Sequence, residues 1–194
     1  MSDMAIYIIS QIFILNNYLF AMLTYNVRKR KTILLFNMIA SASVVIGFAL
    51  LKAYSGMAMA VISIIRTIIF MLDEKVNGQT KEMKLRDWII FLMVSTMCLV
   101  AAIFTYENVW SMLSIFATIL YSFSVCQKNM FVYRLLGIPT SAAWIAYNIY
   151  VNSVVGIALE SALVVVEVIG IVRFRKETKR KRQVARLVNR LLLG

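Results

Sequence analysis

Three ionisable side chains stand inside long apolar runs. Arg66 has Ile64 and Ile65 before it and Ile68 and Ile69 after it, while Glu160 and Glu167 lie in the apolar stretch Ser153–Val172. An ionised group at the centre of an apolar helix costs about 2.5–3.5 kcal/mol on insertion scales, so such residues are kept where they pair, stay hydrated or bind a ligand. Glu160 and Glu167 are two helical turns apart on one face, and Gly156 lies on the same side one turn earlier, so one stripe is acidic and small. An Arg66–Glu167 or Arg66–Glu160 pair that ties two segments together is one expectation. Another is that these groups line a polar cavity and bind a polar or charged solute; a third has Arg66 extending along its own stem towards lipid head groups. A carboxyl group left unpaired in apolar surroundings favours its neutral form, which keeps proton coupling beside simple uniport as an alternative.

A second constellation is the run Pro139-Thr140-Ser141-Ala142-Ala143-Trp144-Ile145-Ala146-Tyr147-Asn148, followed by Tyr150 and Asn152. Its aromatic and amide groups recur at three- and four-residue spacings, which sets them on neighbouring faces of one helix. Indole, phenol and amide together suit a pocket that stacks a ring and hydrogen-bonds it. Tyr147 and Tyr150 also fit an interfacial aromatic belt, and for Trp144 and Asn148 pocket and packing roles stand equal. Gln11, Asn16, Asn17, Asn37, Ser41 and Ser43 add polar groups to two further apolar runs. Asn17 and Asn37 are candidates for the same solute path, although buried amides between apolar helices often serve as interhelical glue, the reading favoured for Asn37. Pro139 removes a backbone hydrogen bond and so introduces a kink or a hinge.

Other chemistries lack their residues. There is no histidine, so neither an imidazole base nor a conventional zinc site can be assembled, and no cofactor or metal is expected. Cys98 and Cys126 lie far apart in apolar surroundings, where cysteine is ordinarily a packing residue. No acidic metal cluster and no nucleophile elbow appears, so an enzyme is not expected. The stretch Ser153–Val172 has no lysine, which excludes a retinal Schiff base there.

The elements that must position these groups are spanning helices. Of 194 residues, 61% are hydrophobic and 15% charged, against about a quarter charged in soluble domains. Seven stretches are long enough to cross a bilayer: Met4–Tyr25, Thr32–Leu51, Gly56–Leu72, Trp88–Tyr106, Val109–Gln127, Met130–Tyr150 and Ser153–Val172. Met1–Asp3 lacks a basic n-region and no small-residue cleavage site follows, so the first span is expected to be retained. Arg28, Lys29, Arg30 and Lys31 follow span one; Lys75, Lys81, Lys84 and Arg86 follow span three; Lys128 and Arg134 follow span five; and the opposite side carries Lys52 with Asp3 and Glu107. The positive-inside rule then sets the N-terminus outside and the C-terminus inside. Residues 1–172 form the transmembrane domain. Residues 173–194 form a basic tail in which Arg175, Lys176, Lys179, Arg180, Lys181 and Arg182 alternate with an apolar face ending in Leu191 and Leu192. Such a helix is expected to lie on anionic head groups at the cytoplasmic side; nucleic-acid binding would need more than charge.

An offset of 100 residues brings span one onto five, two onto six and three onto seven, and span four stays unpaired. Ser41/Ser141, Ala42/Ala142, Gly56/Gly156 and Ala58/Ala158 fall into register, and Arg28 aligns with Lys128. The expected plan is an all-α bundle of three plus one plus three helices: a first triplet over 4–72, a linker helix over 88–106 and a second triplet over 109–172. Parallel repeats of this kind recur among small transporters.

The arginine of Ser63-Ile64-Ile65-Arg66, the run Trp144-Ile145-Ala146-Tyr147-Asn148, then Ser153-Val154-Val155-Gly156 with Glu160, and Arg173 at the end, give nearly the whole chain a likeness. It resembles the bacterial inner-membrane YgjV-like family and is more remotely similar to the SWEET, PnuC and PQ-loop transporters. The resemblance implies a multi-pass protein of the bacterial inner (plasma) membrane that moves a small polar solute, such as a sugar, vitamin, nucleoside or organic acid, through a cavity between the triplets. A homo-oligomer is compatible with it. SWEET-type and PQ-loop chains carry prolines in several spans, whereas Pro139 stands alone here, so a proline-hinged cycle does not carry over. The rival reading is a non-transporting membrane scaffold or regulator acting through its basic tail.

Overall fold

The computed structural model describes residues 3–26, 30–77, 83–127 and 129–193, and within them the side chains of all but 21, 22, 24–26, 30, 31, 33, 34, 74–77, 130 and 177–193. Arg28, Lys29, Lys81 and Lys128 therefore lie outside the described residues, as do the side chains of Arg30, Lys31, Lys75, Lys179, Arg180, Lys181 and Arg182. The described residues form seven α-helices: α1 (Asp3–Asn26), α2 (Arg30–Leu50), α3 (Tyr54–Asn77), α4 (Leu85–Thr105), α5 (Ser111–Cys126), α6 (Met130–Tyr150) and α7 (Val154–Leu193). Each follows one of the expected apolar runs to within a few residues at its start. A helix satisfies its own backbone, which apolar surroundings require. Among the described residues, four helices are long and apolar enough to cross a membrane, with windows Asp3–Phe20, Tyr54–Asp73, Leu85–Thr105 and Val154–Lys176; Leu35–Leu50 and Ser111–Cys126 are shorter apolar helices.

The polarity of the bundle is the reverse of a soluble one. On α1, Ile8, Ile12, Leu15 and Leu19 form an exposed stripe, and Ser10, Gln11, Ile14 and Tyr18 form the buried one. The buried polar side chains are mostly hydroxyls: Ser43, Ser55, Ser111, Ser114, Thr118, Ser122, Ser124, Thr140, Ser141 and Ser153. Small hydroxyl residues let helices approach closely and satisfy themselves on the preceding turn. One apolar core joins Met59, Ile62 and Phe70 of α3, Ile90, Val94 and Cys98 of α4, and Ile115 and Cys126 of α5. The other joins Ile14 and Tyr18 of α1, Phe48 of α2, Ala53, and Tyr147 of α6. Trp144 packs against both cores. The two cysteines are buried and unbridged.

Helix neighbours follow a symmetrical scheme. α1 packs on α2, α2 on α3, α5 on α6 and α6 on α7, while α3 meets α5 and α1 meets α7. Exchanging α1, α2 and α3 with α5, α6 and α7 leaves that set unchanged, and α4 sits against α3 and α5. Burial repeats at the same offset of 100: Ala40/Thr140, Ser43/Ala143, Gly47/Tyr147, Phe48/Asn148, Ala53/Ser153 and Gly56/Gly156 are all buried pairs, as are Gln11/Ser111, Ile14/Ser114 and Tyr18/Thr118.

The turns repeat as well. Lys52 and Asn152 both take the left-handed conformation, at φ 57° and 54°. Ala53 N donates to Phe48 O and Ser153 N to Asn148 O, each at 2.9 Å; Leu51 N donates to Gly47 O at 3.2 Å and Val151 N to Tyr147 O at 3.0 Å. These are helix C-terminal closures in which one left-handed residue turns the chain directly into the next helix. Asparagine tolerates that conformation, whereas lysine adopts it at a cost.

The ends of other helices are fastened by side chains. Asn108 Oδ1 accepts from Trp110 N and Ser111 N at 2.9 and 3.3 Å, which starts α5 two residues later than hydropathy suggests. Asp87, buried, accepts Lys84 N at 2.8 Å and caps α4, while Arg86 Nε lies 3.5 Å from Asp73 Oδ2 and ties α4 to the end of α3. α7 runs without interruption to Leu193, so the expected boundary between residues 172 and 173 is not a helix end. Forty residues at 1.5 Å rise give about 60 Å, twice the hydrocarbon thickness of a bilayer.

Candidate functional site

Arg66 lies on the face of α3 that also carries Met59, Ile62 and Phe70, so its stem is packed in the α3/α4/α5 core. The residue is 6% exposed. Its Nη1 donates to Ser122 Oγ on α5 at 3.0 Å, and the guanidinium carbon sits 4.7 Å from the centre of the Tyr121 ring. Cys98, Cys126 and Tyr133 complete the polar neighbourhood. Ser122 is the last rung of a ladder down α5. Ser114 Oγ donates to Ser111 O at 2.9 Å, Thr118 Oγ1 to Ser114 O at 2.8 Å and Ser122 Oγ to Thr118 O at 2.7 Å. All four hydroxyl residues are buried, and Ser111 Oγ has no hydrogen-bond partner. The ladder rises about 16 Å along the helix.

Glu160 belongs to the opposite interface. Tyr18 of α1 donates its hydroxyl to Glu160 Oε1 at 2.8 Å, and buried Ser141 of α6 faces the same carboxyl. Glu167, two turns on, rests in the notch left by Gly137 of α6; a Cβ at Gly137 would stand 2.0 Å from Glu167 Oε1. Glu167 Oε2 is buried without a hydrogen-bond partner. The expected pairing of Arg66 with either glutamate is therefore corrected: Arg66 faces α5, and the glutamates face α1 and α6. The helix neighbours explain this, because α3 packs on α5 whereas α7 packs on α1 and α6.

The aromatic constellation closes one end of the bundle between α2 and α6. Phe48 and Trp144 stack at 6.1 Å between ring centres, and Tyr147 stands edge-on to both at 5.7 Å. Tyr147 is fully buried; its hydroxyl accepts Gly56 N at 2.8 Å and shares a hydrogen bond with Ser55 Oγ at 2.9 Å. Tyr147 thereby caps the start of α3 across the bundle. The matching start of α7 is capped by its own Ser153, whose Oγ accepts Gly156 N at 3.2 Å, and by Gln11 of α1, whose Oε1 accepts Val155 N at 3.1 Å. Asn148 Nδ2 donates to Trp144 O at 2.9 Å, and its Oδ1 lies against Gly156, where a Cβ would come within 2.3 Å. That position makes Asn148 a packing element of the α6/α7 crossing. Tyr150 is hydrogen-bonded to Asn108 and stacked on Trp110, as an interfacial belt residue would be.

Among the amides, Asn16 rather than Asn17 bridges α1 and α2, donating to Ser43 Oγ at 3.1 Å; Asn17 and Asn37 are half-buried. In the tail, the Arg175 guanidinium lies 5.5 Å from the Phe131 ring centre at the start of α6, and Lys176 is exposed. The α5 ladder, the buried Asp87 at the start of α4 and the Tyr147 cap are structural features that the charges inside apolar runs do not reveal. The ladder had a signal in sequence: Ser111, Ser114, Thr118 and Ser122 recur at helical spacings of three and four.

Buried hydroxyls and charges within an apolar, lipid-facing exterior define a polytopic α-helical membrane protein. Residues 8–178 match the Imp-YgjV family, described as a bacterial inner membrane protein, and the chain belongs to that family. It is accordingly a multi-pass protein of the bacterial inner membrane. No curated protein and no solved structure matches it.

Proposed function

We propose that the protein is a transporter or facilitator of a small polar solute, which passes between two triple-helix units. The observation that supports this reading is that buried positions, helix neighbours and left-handed turns recur at an offset of 100. Two like-oriented units around a shared axis are the architecture in which small transporters place a central site. In this reading all seven helices cross the bilayer, α1–α3 and α5–α7 are the two units, α4 is the inverting link, the N-terminus is outside and the C-terminus inside. Buried charge on both sides of the axis supports a solute path, because Arg66 and Glu160 are not spent neutralising each other. Arg66, Glu160 and Glu167 would contact solute; Trp144 would form the closed end with Phe48 and Tyr147; Asn17, Asn37 and Asn148 are second candidates along the path.

The test is uptake by proteoliposomes. Reconstituted full-length protein is offered radiolabelled sugars, nucleosides, vitamins and small organic acids, with Glu160→Gln as the control. Saturable uptake of one class, lost in the control, is the expected result; no uptake of any class by folded protein overturns the reading.

The unbroken 40-residue α7 favours a second reading, in which a basic helix projecting from the membrane recruits lipid or a partner while the bundle serves as an anchor. Truncation after Lys179 would then abolish function, whereas a transporter keeps its flux.

A further inference from the structure

We infer that Arg66, with Ser122 and the α5 hydroxyl ladder, is a binding site for an oxyanion, the carboxylate or phosphate group of the bound molecule. This inference rests on the reading that the bundle handles a solute and names that solute's charge.

A guanidinium is always protonated and presents five N–H donors. Here one of them is taken by Ser122 Oγ, and one ring face lies on Tyr121. None of the described carboxylates meets Arg66. Glu160 accepts from Tyr18, Glu167 sits on Gly137, Asp73 faces Arg86 and Asp87 caps α4. Among the described residues, the polar groups that face Arg66 are thus hydroxyls and thiols, and no carboxylate is among them. A buried cation in a bilayer needs a counter-charge or water. A planar oxyanion supplies two acceptor oxygens at the spacing of the guanidinium fork.

The ladder fits the same ligand. Ser114, Thr118 and Ser122 each donate to a carbonyl one turn back, a carbonyl that also serves the helix itself, so each can turn its proton towards a ligand without stranding the acceptor. Ser111, buried and without a partner at the far end, extends the row to the start of α5. Two sources could deliver the oxyanion, a soluble small acid or a phospholipid head group.

The experiment is a thermal unfolding titration of the full-length protein in dodecyl maltoside, free of phosphate and stripped of lipid, followed by tryptophan fluorescence. Sodium phosphate, sodium succinate and dioctanoyl phosphatidylglycerol are added in separate arms against sodium chloride at matched ionic strength. A saturable rise of several degrees with a soluble oxyanion, or with the lipid alone, supports the site and identifies the source. Arg66→Met should abolish the rise and, without oxyanion, unfold no earlier than wild type, because it removes an uncompensated buried charge. Arg66→Lys and Ser122→Ala should keep a response that saturates at several-fold higher concentration, and they carry the test if the methionine variant does not fold. A wild-type response no greater than to chloride, or a response unchanged in Arg66→Met, overturns the proposal. Binding is scored without flux, so a failed uptake screen beside positive binding removes only the transport reading, and uptake without oxyanion binding removes only this site.

Discussion

Tyr147→Phe isolates a single hydroxyl that fastens one half of the bundle to the other. The phenol oxygen accepts Gly56 N at 2.8 Å and shares a hydrogen bond with Ser55 Oγ at 2.9 Å, in a side chain with no exposed surface. Gly56 is the third residue of α3, so its N–H belongs to the unsatisfied first turn and has no partner within the helix. Phenylalanine leaves the ring contacts with Phe48 and Trp144 in place and strands this donor. Leaving one buried donor unpaired costs about 1–3 kcal/mol, and that is the predicted loss. The similar turn before α7 supplies a specific rescue. Position 53 is alanine where its counterpart is Ser153, and Ser153 Oγ caps Gly156 N at 3.2 Å. Ala53→Ser should therefore provide α3 with its own N-cap, worth about 1 kcal/mol when the phenol is gone and close to nothing while Tyr147 still holds the donor. Unfolding free energies of the wild type, both single variants and the double variant, measured by dodecyl sulfate titration of dodecyl maltoside micelles, complete the cycle. Equal effects of Ala53→Ser in the two backgrounds, or a Tyr147→Phe protein as stable as wild type, would refute the reasoning.

Lys52→Gly should raise stability by about 1 kcal/mol, since lysine holds a left-handed φ of 57° that glycine adopts freely. Asn152→Gly at the matching turn should gain less, because asparagine already tolerates that conformation; the same titration compares the two. Glu160→Gln keeps an acceptor oxygen for Tyr18 and should retain the fold while losing uptake, whereas Tyr18→Phe removes the 2.8 Å hydrogen bond and should lower the unfolding free energy by about 1–2 kcal/mol. Gly156→Ala brings a methyl within 2.3 Å of Asn148 Oδ1 at the α6/α7 crossing and should destabilise by about 1–3 kcal/mol. Asn148→Ala in the same chain should relieve part of that loss.

The sequence alone determined the helices and their number, because each of these is a short-range property. An apolar run must satisfy its backbone internally in lipid and therefore becomes a helix wherever it occurs. Gly56/Gly156 marked the register, and Arg66, Glu160 and Glu167 stood out because a charge in an apolar run is conspicuous wherever the helix later packs. Which helix each charge faces was decided by tertiary structure. An arginine and two glutamates inside apolar runs invited a salt bridge, yet they lie in separate helix contacts, α3 with α5 and α7 with α1 and α6. The tertiary fold also decided that Asn16 and not Asn17 turns towards α2, and that Tyr147 caps a helix 91 residues away in the chain. Adjacent residues on a helix differ by 100° of azimuth, and nothing within the helix chooses between them. The oxyanion proposed at Arg66 has the same origin: sequence shows a cation in an apolar run, and only the packing shows that the described carboxylates are turned elsewhere.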